Sequence, residues 1–163
     1  MLTAAALVTV GCGESDDQTA DQPPDQSADS LLPPSVVSEE AIAEQEEGSP
    51  ERALLEWWQA FQFGDATQVV ELTDPEALQG FGSGKLEDLV RGFGSLIGGL
   101  RVVDSRVKDE QASVRVVVVN YPQDGKLEGA PRTFVLRRED SEAPWLVDAV
   151  PYFEQLQRTF NAQ

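Results

Sequence analysis

The chain has 163 residues and a formal net charge of −17 at pH 7, from 12 Lys and Arg against 29 Asp and Glu. This length fits one domain of ordinary size with an additional segment. With one Cys and no His, an internal disulfide and a Cys/His zinc site are excluded. The acidic balance without a basic stripe argues against nucleic acid as a partner. We expect no cofactor and no bound metal.

The first residues have the pattern of a secretion signal. An uncharged apolar run, LTAAALVTV, covers Leu2 to Val10 and is followed by Gly11 and Cys12. A membrane-spanning helix needs about 20 apolar residues, whereas about 7–15 suffice for the apolar part of a signal peptide. The small residue before Cys12 and the polar residues after it resemble the lipobox of bacterial lipoproteins.

This resemblance implies a lipid-anchored protein. The signal peptide would cover residues 1–11, and Cys12 would be acylated, with palmitate as an expected fatty acid. Several acyl chains on one cysteine give stable anchoring, at about 0.8 kcal/mol for each buried CH₂. The protein would then be secreted across the cytoplasmic membrane and held at the bacterial cell envelope. The alternative is that Cys12 is an incidental residue in an apolar N-terminus.

Much of the negative charge lies in one segment near the N-terminus. Residues 13–50 contain eleven acidic residues and no basic residue. The segment is rich in Asp, Glu, Gln, Ser and Pro and has no aromatic residue, so it cannot bury enough apolar surface to offset its ordering entropy. We therefore predict a disordered acidic tether over residues 12–48, with a marginal helical turn or two within Ser38–Glu47.

Apolar spacing and capping residues predict three helices from residue 49 onward. The first begins at Ser49-Pro50, because a hydroxyl cap followed by proline is typical of a helix start, and it ends at Gly64. Asp65 caps a shorter second helix. A loop over Gly80–Lys85 then precedes a third helix from about Leu86 to Ile97, whose apolar residues recur at helical spacing.

Beyond the helices the apolar period changes to two, which predicts four strands joined by turns. The strands cover residues 100–107, 112–121, 132–138 and 145–150, and a terminal helix follows. The clearest strand is ASVRVVVVNY, residues 112–121, whose even-numbered side chains form a continuous apolar face. Consecutive strands with short connections form an antiparallel meander. Helices followed by such a sheet make the fold class α+β.

The order of these elements resembles the NTF2-like superfamily, in particular its small lipoprotein and DUF4878-like members. The resemblance rests on the opening helix with paired aromatics, the break at Gly64-Asp65 and the ending TFVLRREDSEAPWLVD, and it covers about Ser49 to Asp148. It implies that residues 49–163 form an NTF2-like/cystatin-like cone. In such a cone, a curved four-stranded antiparallel sheet wraps N-terminal helices and encloses a pocket.

Four aromatic residues are candidates for lining that pocket: Trp57, Trp58, Phe61 and Trp145. The alternative is plain core packing, which is the commoner role of aromatics at helical spacing. Adjacent helical residues point about 100° apart. We therefore expect only one of Trp57 and Trp58 to face the sheet and the other to lie at a rim, an interface or a pocket mouth.

Asp104 and Asp148 are weak candidates for a catalytic acid or base, because they lie in otherwise apolar strands. In the alternative, both point outward and pair with strand arginines. NTF2-like enzymes that resemble ketosteroid isomerase or scytalone dehydratase use a pocket acid with a tyrosine, or a His-Asp pair. The second arrangement is excluded here because the chain has no His.

Val117, Val119 and Val135 are candidates for an interface. They lie on the outer face of the predicted sheet, and the resemblance to NTF2-like proteins implies that this face can form a homodimer. A basic patch formed by Arg115, Arg137 and Arg138 is a further possibility on the strands, with cross-strand ion pairing as its alternative.

Three functions fit these observations. The first is a membrane-tethered, non-catalytic envelope lipoprotein whose domain binds a small apolar ligand or another envelope protein. The second is an isomerase- or dehydratase-like enzyme that uses a pocket carboxylate. The third is a purely structural spacer module. The presence of a ligand-sized cavity under the sheet, and the polar groups that converge in it, discriminates between them.

Overall fold

The computed structural model describes residues 36–119 and 128–161. Within these ranges the helices are α1 (Glu39–Ala43), α2 (Pro50–Gln62), α3 (Ala66–Glu71), α4 (Pro75–Phe81), α5 (Ser83–Phe93) and α6 (Val150–Asn161), with a 3-10 turn at Gly94–Leu96. The strands are β1 (Gly99–Lys108), β2 (Gln111–Val119), β3 (Glu128–Arg137) and β4 (Leu146–Asp148). They form one antiparallel sheet in the order β1-β2-β3-β4. The predicted α+β class is confirmed.

Helix α2 is the central helix, and its ends follow the predicted signals. The Ser49 hydroxyl accepts a hydrogen bond from the backbone N–H of Arg52 at 3.2 Å, and Pro50 is the first helical residue. Gly64 follows the helix with a φ of 75°, in the left-handed region that glycine adopts without strain. The Asp65 carboxylate then caps α3 by accepting from the N–H of Gln68 at 3.0 Å.

The segment between α3 and α4 is hydrogen-bonded to the edge strand β4. The N–H of Val147 donates to the carbonyl of Leu72 at 2.9 Å, and the N–H of Asp74 donates to the carbonyl of Val147 at 3.0 Å. Thr73 lies between them in an isolated parallel bridge with Val147. The short strand β4 therefore has β3 on one side and the helical layer on the other.

The residues Gly80–Lys85 do not form the predicted loop. Helix α4 continues to Phe81, Gly82 has a φ of 83°, and α5 begins at Ser83. Phe81 is buried, with its ring centroid 5.7 Å from that of Phe153 in α6. Tertiary packing of this ring stabilises a helical turn that the glycines disfavour by propensity alone.

Strand β2 lies in the interior of the sheet, between β1 and β3. Ala112, Val114 and Val116 are fully buried against α2, whereas Arg115 is exposed on the opposite face. This alternation confirms the predicted apolar even face. The register between β1 and β2 shifts at Val103, which is exposed and has no partner on β2.

The packed part of the chain begins ahead of Ser49. Val37 and Ile42 are buried, and α1 packs against α2. The N–H of Val37 donates to the Gln62 side chain at 2.9 Å, and the Gln59 side chain donates to the carbonyl of Val37 at 3.0 Å. The predicted tether boundary at Gly48 is thus too late. Two buried apolar residues bind this acidic stretch to the core.

Three boundaries at the C-terminal end also differ from prediction. Strand β3 begins at Glu128 rather than at residue 132, and β4 ends at Asp148. Val150 begins α6 instead of ending a strand, and the predicted terminal helix is confirmed from there to Asn161. The turn between β2 and β3 and the N-terminal signal lie outside the described residues. In the described part, no helix is long and apolar enough to span a membrane.

Candidate functional site

The predicted pocket aromatics of α2 are core residues in the structure. Trp57, Trp58 and Phe61 are each 0% exposed. The indole N–H of Trp57 donates to the Thr73 hydroxyl at 2.9 Å, and that of Trp58 donates to the carbonyl of Gly98 at 2.9 Å. Both polar atoms are therefore satisfied inside the protein.

The prediction that one of the two tryptophans would lie at a rim is wrong. The ring centroids of Trp57 and Trp58 lie 6.1 and 5.8 Å from that of Phe134 in β3, and both rings also contact Tyr152 in α6. Helix α2 is covered by the sheet on one flank and by other helices around it. Residues that point about 100° apart can consequently both be buried.

Trp145 lies at a different place, just before β4. It is 4% exposed, and the guanidinium carbon of Arg138 is 4.4 Å from its ring centroid. Its edge borders a shallow depression of about 320 Å³ beside the start of α2, which Arg52 and Glu56 also line. Those two side chains form an ion pair at 2.9 Å. The structure does not bring Trp145 together with the three aromatics of α2 in one pocket.

A depression at the rim of the sheet brings together more functional groups. This rim depression has a volume of about 280 Å³ and is lined by residues of β3, the end of β4 and the first turns of α6: Arg132, Thr133, Phe134, Val135, Asp148, Pro151, Tyr152 and Gln155. It exists because β4 pairs with only Val135–Arg137 of the longer strand β3. The chain turns into α6 directly after β4.

Tyr152 contributes the most unusual group of the rim depression. Its ring packs on the core aromatics and the residue is 8% exposed. No hydrogen bond joins its hydroxyl to another described residue, and because the hydroxyl is not among the fully buried atoms without a partner, it opens into the depression. Burial raises the pKa of the Tyr152 phenol well above its usual value, and the nearby positive charge of Arg132 offsets only part of this. Like any tyrosine the group is a neutral donor at physiological pH, and its raised pKa keeps it neutral at a higher pH than usual.

Arg132 lies beside this phenol. Its guanidinium carbon is 5.7 Å from the Tyr152 ring centroid, and its Nη1 donates to the Gln155 side-chain oxygen at 2.6 Å. Arg132 has the same parity along β3 as the buried Phe134 and Leu136, so it belongs to the inner face of the sheet. A cation and a phenolic donor thus face one depression.

Asp148 is the one predicted carboxylate that borders the rim depression. It is half-buried and opposite Val135 in the sheet. Asp104, the other candidate, is exposed on the outer face of the sheet and forms an ion pair with Arg115. This is the outward, arginine-paired placement that the sequence offered as the alternative. The structure does not bring the two carboxylates together.

The predicted interface valines do not form one patch. Val117 is opposite Pro131 and Val135 is opposite Ser113, and the polar pair Arg115–Thr133 lies between these two pairs. Val117 and Val135 are half-buried, and the side chain of Val119 lies outside the described residues. The outer face is mixed and polar rather than continuously apolar.

Arg132 and Tyr152 were missed as site residues by the sequence analysis. A usable signal was present for Arg132, because the alternation with Phe134 and Leu136 in RTFVLRR puts an arginine on the inner face. No such alternation or spacing in the sequence indicates that Tyr152 belongs to the site. Its role depends on how α6 returns to the sheet. In residues 36–119 and 128–161, no group of three or more His, Cys, Asp and Glu is placed to hold a metal ion.

No protein-family model and no curated protein matches the sequence. Solved structures to which the chain is similar include SEC-C motif containing proteins from Rhodopseudomonas palustris (21% identity, 64% of this chain and 79% of that chain, TM-score 0.46) and Psychrobacter arcticus (17% identity, 66% of this chain and 64% of that chain, TM-score 0.47). A protein from Campylobacter jejuni named as an NTF2-like transpeptidase is also similar (17%, 61% and 97%, 0.45).

Proposed function

We propose that this chain is an NTF2-like domain that binds a small ligand in the rim depression. The observation that carries the proposal is the Tyr152 hydroxyl, which sits on a buried ring, beside Arg132, without a hydrogen-bond partner among the described residues. The hydroxyl is not one of the fully buried atoms of the described residues, so a molecule in the depression can reach it. A ligand acceptor at this point would take the hydrogen bond that the phenol can donate into the depression.

The chemistry of the lining narrows the ligand class. Tyr152 is a neutral donor at physiological pH, as an ordinary tyrosine is, burial extends this state to higher pH by raising its pKa, and Arg132 adds a positive charge. Phe134, Val135 and Pro151 offer apolar contact in the same depression. The best match is a small amphipathic molecule with a carboxylate or a similar acceptor and an apolar body. The volume of about 280 Å³ is near the lower end of the usual range of about 300–1,000 Å³ for ligand sites.

We further propose that the domain acts at the bacterial cell envelope. The support is the lipobox-like sequence before Cys12, the signal-peptide-like residues 1–11 and the acidic segment that separates them from the fold. In this proposal the protein is a DUF4878-like lipoprotein, secreted and anchored through acylated Cys12. The tether holds a binding domain away from the membrane. The ligand site and the anchor are independent parts of the proposal.

A titration with small carboxylates tests the ligand site. Benzoate and hexanoate are the probes, with benzamide as the uncharged comparison, and binding is followed by amide chemical shifts. We expect shifts at Thr133, Tyr152 and Gln155. Tyr152→Phe should weaken binding about tenfold, since one hydrogen bond is worth about 1–1.5 kcal/mol. Arg132→Gln should weaken it about 10- to 100-fold, because a hydrogen bond to a charged group is stronger.

Arg158→Gln is the matched control, because Arg158 is exposed on the same helix and outside the rim depression. It should bind the probes like the wild type. Equal affinities for wild type, Tyr152→Phe and Arg132→Gln would contradict the proposed site. A protein that binds none of the probes fits the structural spacer that the sequence left open.

Asp148 favours a second candidate function. It borders the same depression as the Tyr152 phenol, and a carboxylate base with a neutral phenol donor is a combination that can move a proton next to a carbonyl. The test is deuterium exchange at the α-carbon of levulinate, a small keto acid. If the wild type catalyses this exchange and Asp148→Asn does not, although Asp148→Asn still binds benzoate, the protein is an isomerase-like enzyme. Absence of exchange by the wild type rejects it.

A further inference from the structure

The outer face of the sheet carries a cluster of cations that is unusual in so acidic a protein. We define the outer sheet face by the side chains that share the face of Arg115. Its basic members are Arg101, Arg106 and Lys108 of β1, Arg115 of β2 and Arg137 of β3. Two described carboxylates, Asp104 and Asp148, share this face, and Arg137 also forms ion pairs with Asp74 and Glu76 at 3.8 and 3.9 Å. Arg106 and Lys108, on the edge strand β1, are exposed cations of this face that form no ion pair with another described residue.

The register arranges these cations in successive rows across the strands. Lys108, Gln111 and Arg137 form one row, and Arg106 and Ser113 begin the next. Rows on one face are two residues apart, which is about 6.6 Å along a strand. From Lys108 to Arg101 the cations therefore extend over roughly 20 Å.

A shallow depression lies within this face. It has a volume of about 310 Å³ and is lined by Asp104, Arg106, Ser113, Arg115 and Thr133. Arg115 is paired with Asp104, whereas Arg106 is exposed on the edge strand next to it. Because Val117 and Val135 are separated by the polar pair Arg115–Thr133, this face suits an anionic partner better than an apolar one.

The acidic segment of the same chain leads away from a point beside the first residues of β1. Val37 is held by Gln59 and Gln62 of α2, and the Gln62 amide also donates to the carbonyl of Gly98 at 3.0 Å. Gly98 directly precedes β1. The chain ahead of Val37 therefore starts beside the end of β1 where Arg101 lies.

We propose that residues 13–35 dock on the outer sheet face. They contain six acidic residues and no basic one: Glu14, Asp16, Asp17, Asp21, Asp25 and Asp29. Extended at about 3.3 Å a residue, the segment reaches roughly 75 Å, far more than the face requires. The acids from Asp17 to Asp29 recur every four residues, about 13 Å apart when extended, so two or three can lie on the face at once.

Covalent connection makes weak ion pairs sufficient for this contact. A short tether gives an effective concentration in the millimolar range, and the contacts remain exposed, so salt screens them. Docking would cover the cations with the chain's own acids. It would also hold Cys12 close to the folded domain at low ionic strength and release it at high ionic strength.

The single cysteine gives a direct test in the full-length chain. A nitroxide attached to Cys12 broadens amide resonances that it approaches. At about 10 mM salt, where the Debye length is about 30 Å, we expect broadening at Ser113, Arg115 and Thr133 and little at residues 87–91 of α5. At about 1 M salt the Debye length is about 3 Å, and the broadening should disappear.

Charge variants identify the surface. Arg106→Glu together with Lys108→Glu should reduce the low-salt broadening at Ser113 and Arg115 by at least about half, because the segment would meet like charges. The matched control is Lys85→Glu with Arg158→Glu, which changes the charge by the same amount on exposed positions of helices. It should leave the broadening unchanged. Equal loss in both double variants, or no broadening at low salt, would overturn the proposal.

An experiment with two differently labelled samples distinguishes docking within one chain from docking between two chains. Nitroxide-labelled protein at natural isotope abundance is mixed with unlabelled, ¹⁵N-enriched protein. Broadening in the enriched partner would assign the segment to the face of a second copy and overturn the intramolecular contact. Its absence, together with broadening in the labelled enriched chain, supports docking within one molecule.

Discussion

Tyr152 combines a ring in the core with a hydroxyl at the rim of the sheet. Its ring contacts Trp57 and Trp58, while the phenol shares the rim depression with Arg132 and Asp148. Burial raises the pKa of the Tyr152 phenol, with Arg132 acting in the opposite direction. The same placement that makes this group a candidate donor therefore links it to the stability of the fold.

The pH dependence of unfolding should reveal this linkage. Because the folded state keeps the Tyr152 proton after the unfolded chain has lost it, its contribution is fully present below about pH 10, the ordinary tyrosine pKa. Above about pH 10 the free energy of unfolding should fall by up to about 1.4 kcal/mol per pH unit from this group. Urea unfolding at about pH 9 and pH 11 measures the slope.

Tyr152→Phe should remove this part of the slope, and Tyr121→Phe is the matched control because Tyr121 is the only other tyrosine. The titration of lysines contributes alike to all three proteins. If Tyr152→Phe and the wild type lose stability equally between these pH values, the phenol is not the responsible group.

At the scale of elements, the contact between the end of α2 and the 3-10 turn is unusually close. A Cβ atom built on Gly94 would lie 2.2 Å from the carbonyl oxygen of Phe61 and 3.3 Å from that of Gln62. The glycine is therefore needed for space. Gly94 lies between α5 and the 3-10 turn. Because it has no side chain, the end of α5 can lie directly against the backbone of α2.

Substitution of two neighbouring glycines tests this contact. Gly94→Ala should destabilise the protein by about 1–3 kcal/mol, because the backbone carbonyl of Phe61 cannot yield as a flexible side chain would. Gly92→Ala, two residues earlier, meets nothing within 4 Å. Since Gly92 lies inside α5, alanine there should stabilise by about 0.5–1 kcal/mol. Denaturant unfolding gives both values, and a stabilising Gly94→Ala would refute the close packing.

The observed helices and strands show which elements can be predicted from local sequence patterns such as capping residues and apolar spacing. Caps at Ser49 and Asp65 and the period-two run of β2 were sufficient to predict α2, α3 and the interior strand. The prediction of a loop at the α4–α5 junction is wrong, because glycine propensity indicates a break whereas the packing of Phe81 on Phe153 stabilises the helix. Local signals cannot contain that partner, which lies far along the chain.

At the scale of the whole molecule, the structured unit includes residues that composition assigns to the tether. Val37 is 3% and Ile42 is 7% exposed, and the side chains of Gln59 and Gln62 hold the backbone of Val37. These contacts cover part of α2. Their loss should expose apolar surface and remove the hydrogen bonds that Gln59 and Gln62 form with the backbone of Val37.

Two truncations define the minimal folded unit. A chain that begins at residue 36 should have the stability of the full-length protein within about 0.5 kcal/mol. A chain that begins at residue 49 should be less stable by about 2–5 kcal/mol, the usual cost of losing a buried aliphatic side chain. Thermal and urea unfolding compare them at high salt, where the acidic segment contributes least. Equal stability of both truncations would show that α1 adds nothing to the core.

The rim depression was less predictable than the fold. Of the residues proposed from the sequence, Asp148 borders the rim depression. The aromatic candidates of α2 are core residues instead. Arg132 was overlooked although strand alternation places it inward. Tyr152 belongs to the depression only because β4 ends after three residues and α6 turns back over the longer β3. No pattern in the sequence sets the lengths of two paired strands.

By itself the sequence determined the α+β class, the caps and periodicities of most elements and the apolar face of β2. These properties follow from local spacing and composition, which act over a few residues. Only the tertiary structure decided that both tryptophans of α2 are buried, that Val37 and Ile42 join the core, and that Arg132, Tyr152 and Asp148 share one depression. Each of these three placements depends on contacts between elements that are far apart in the chain. A side chain is buried when such an element packs over it, and the adjacent residues in the sequence do not determine which element does so.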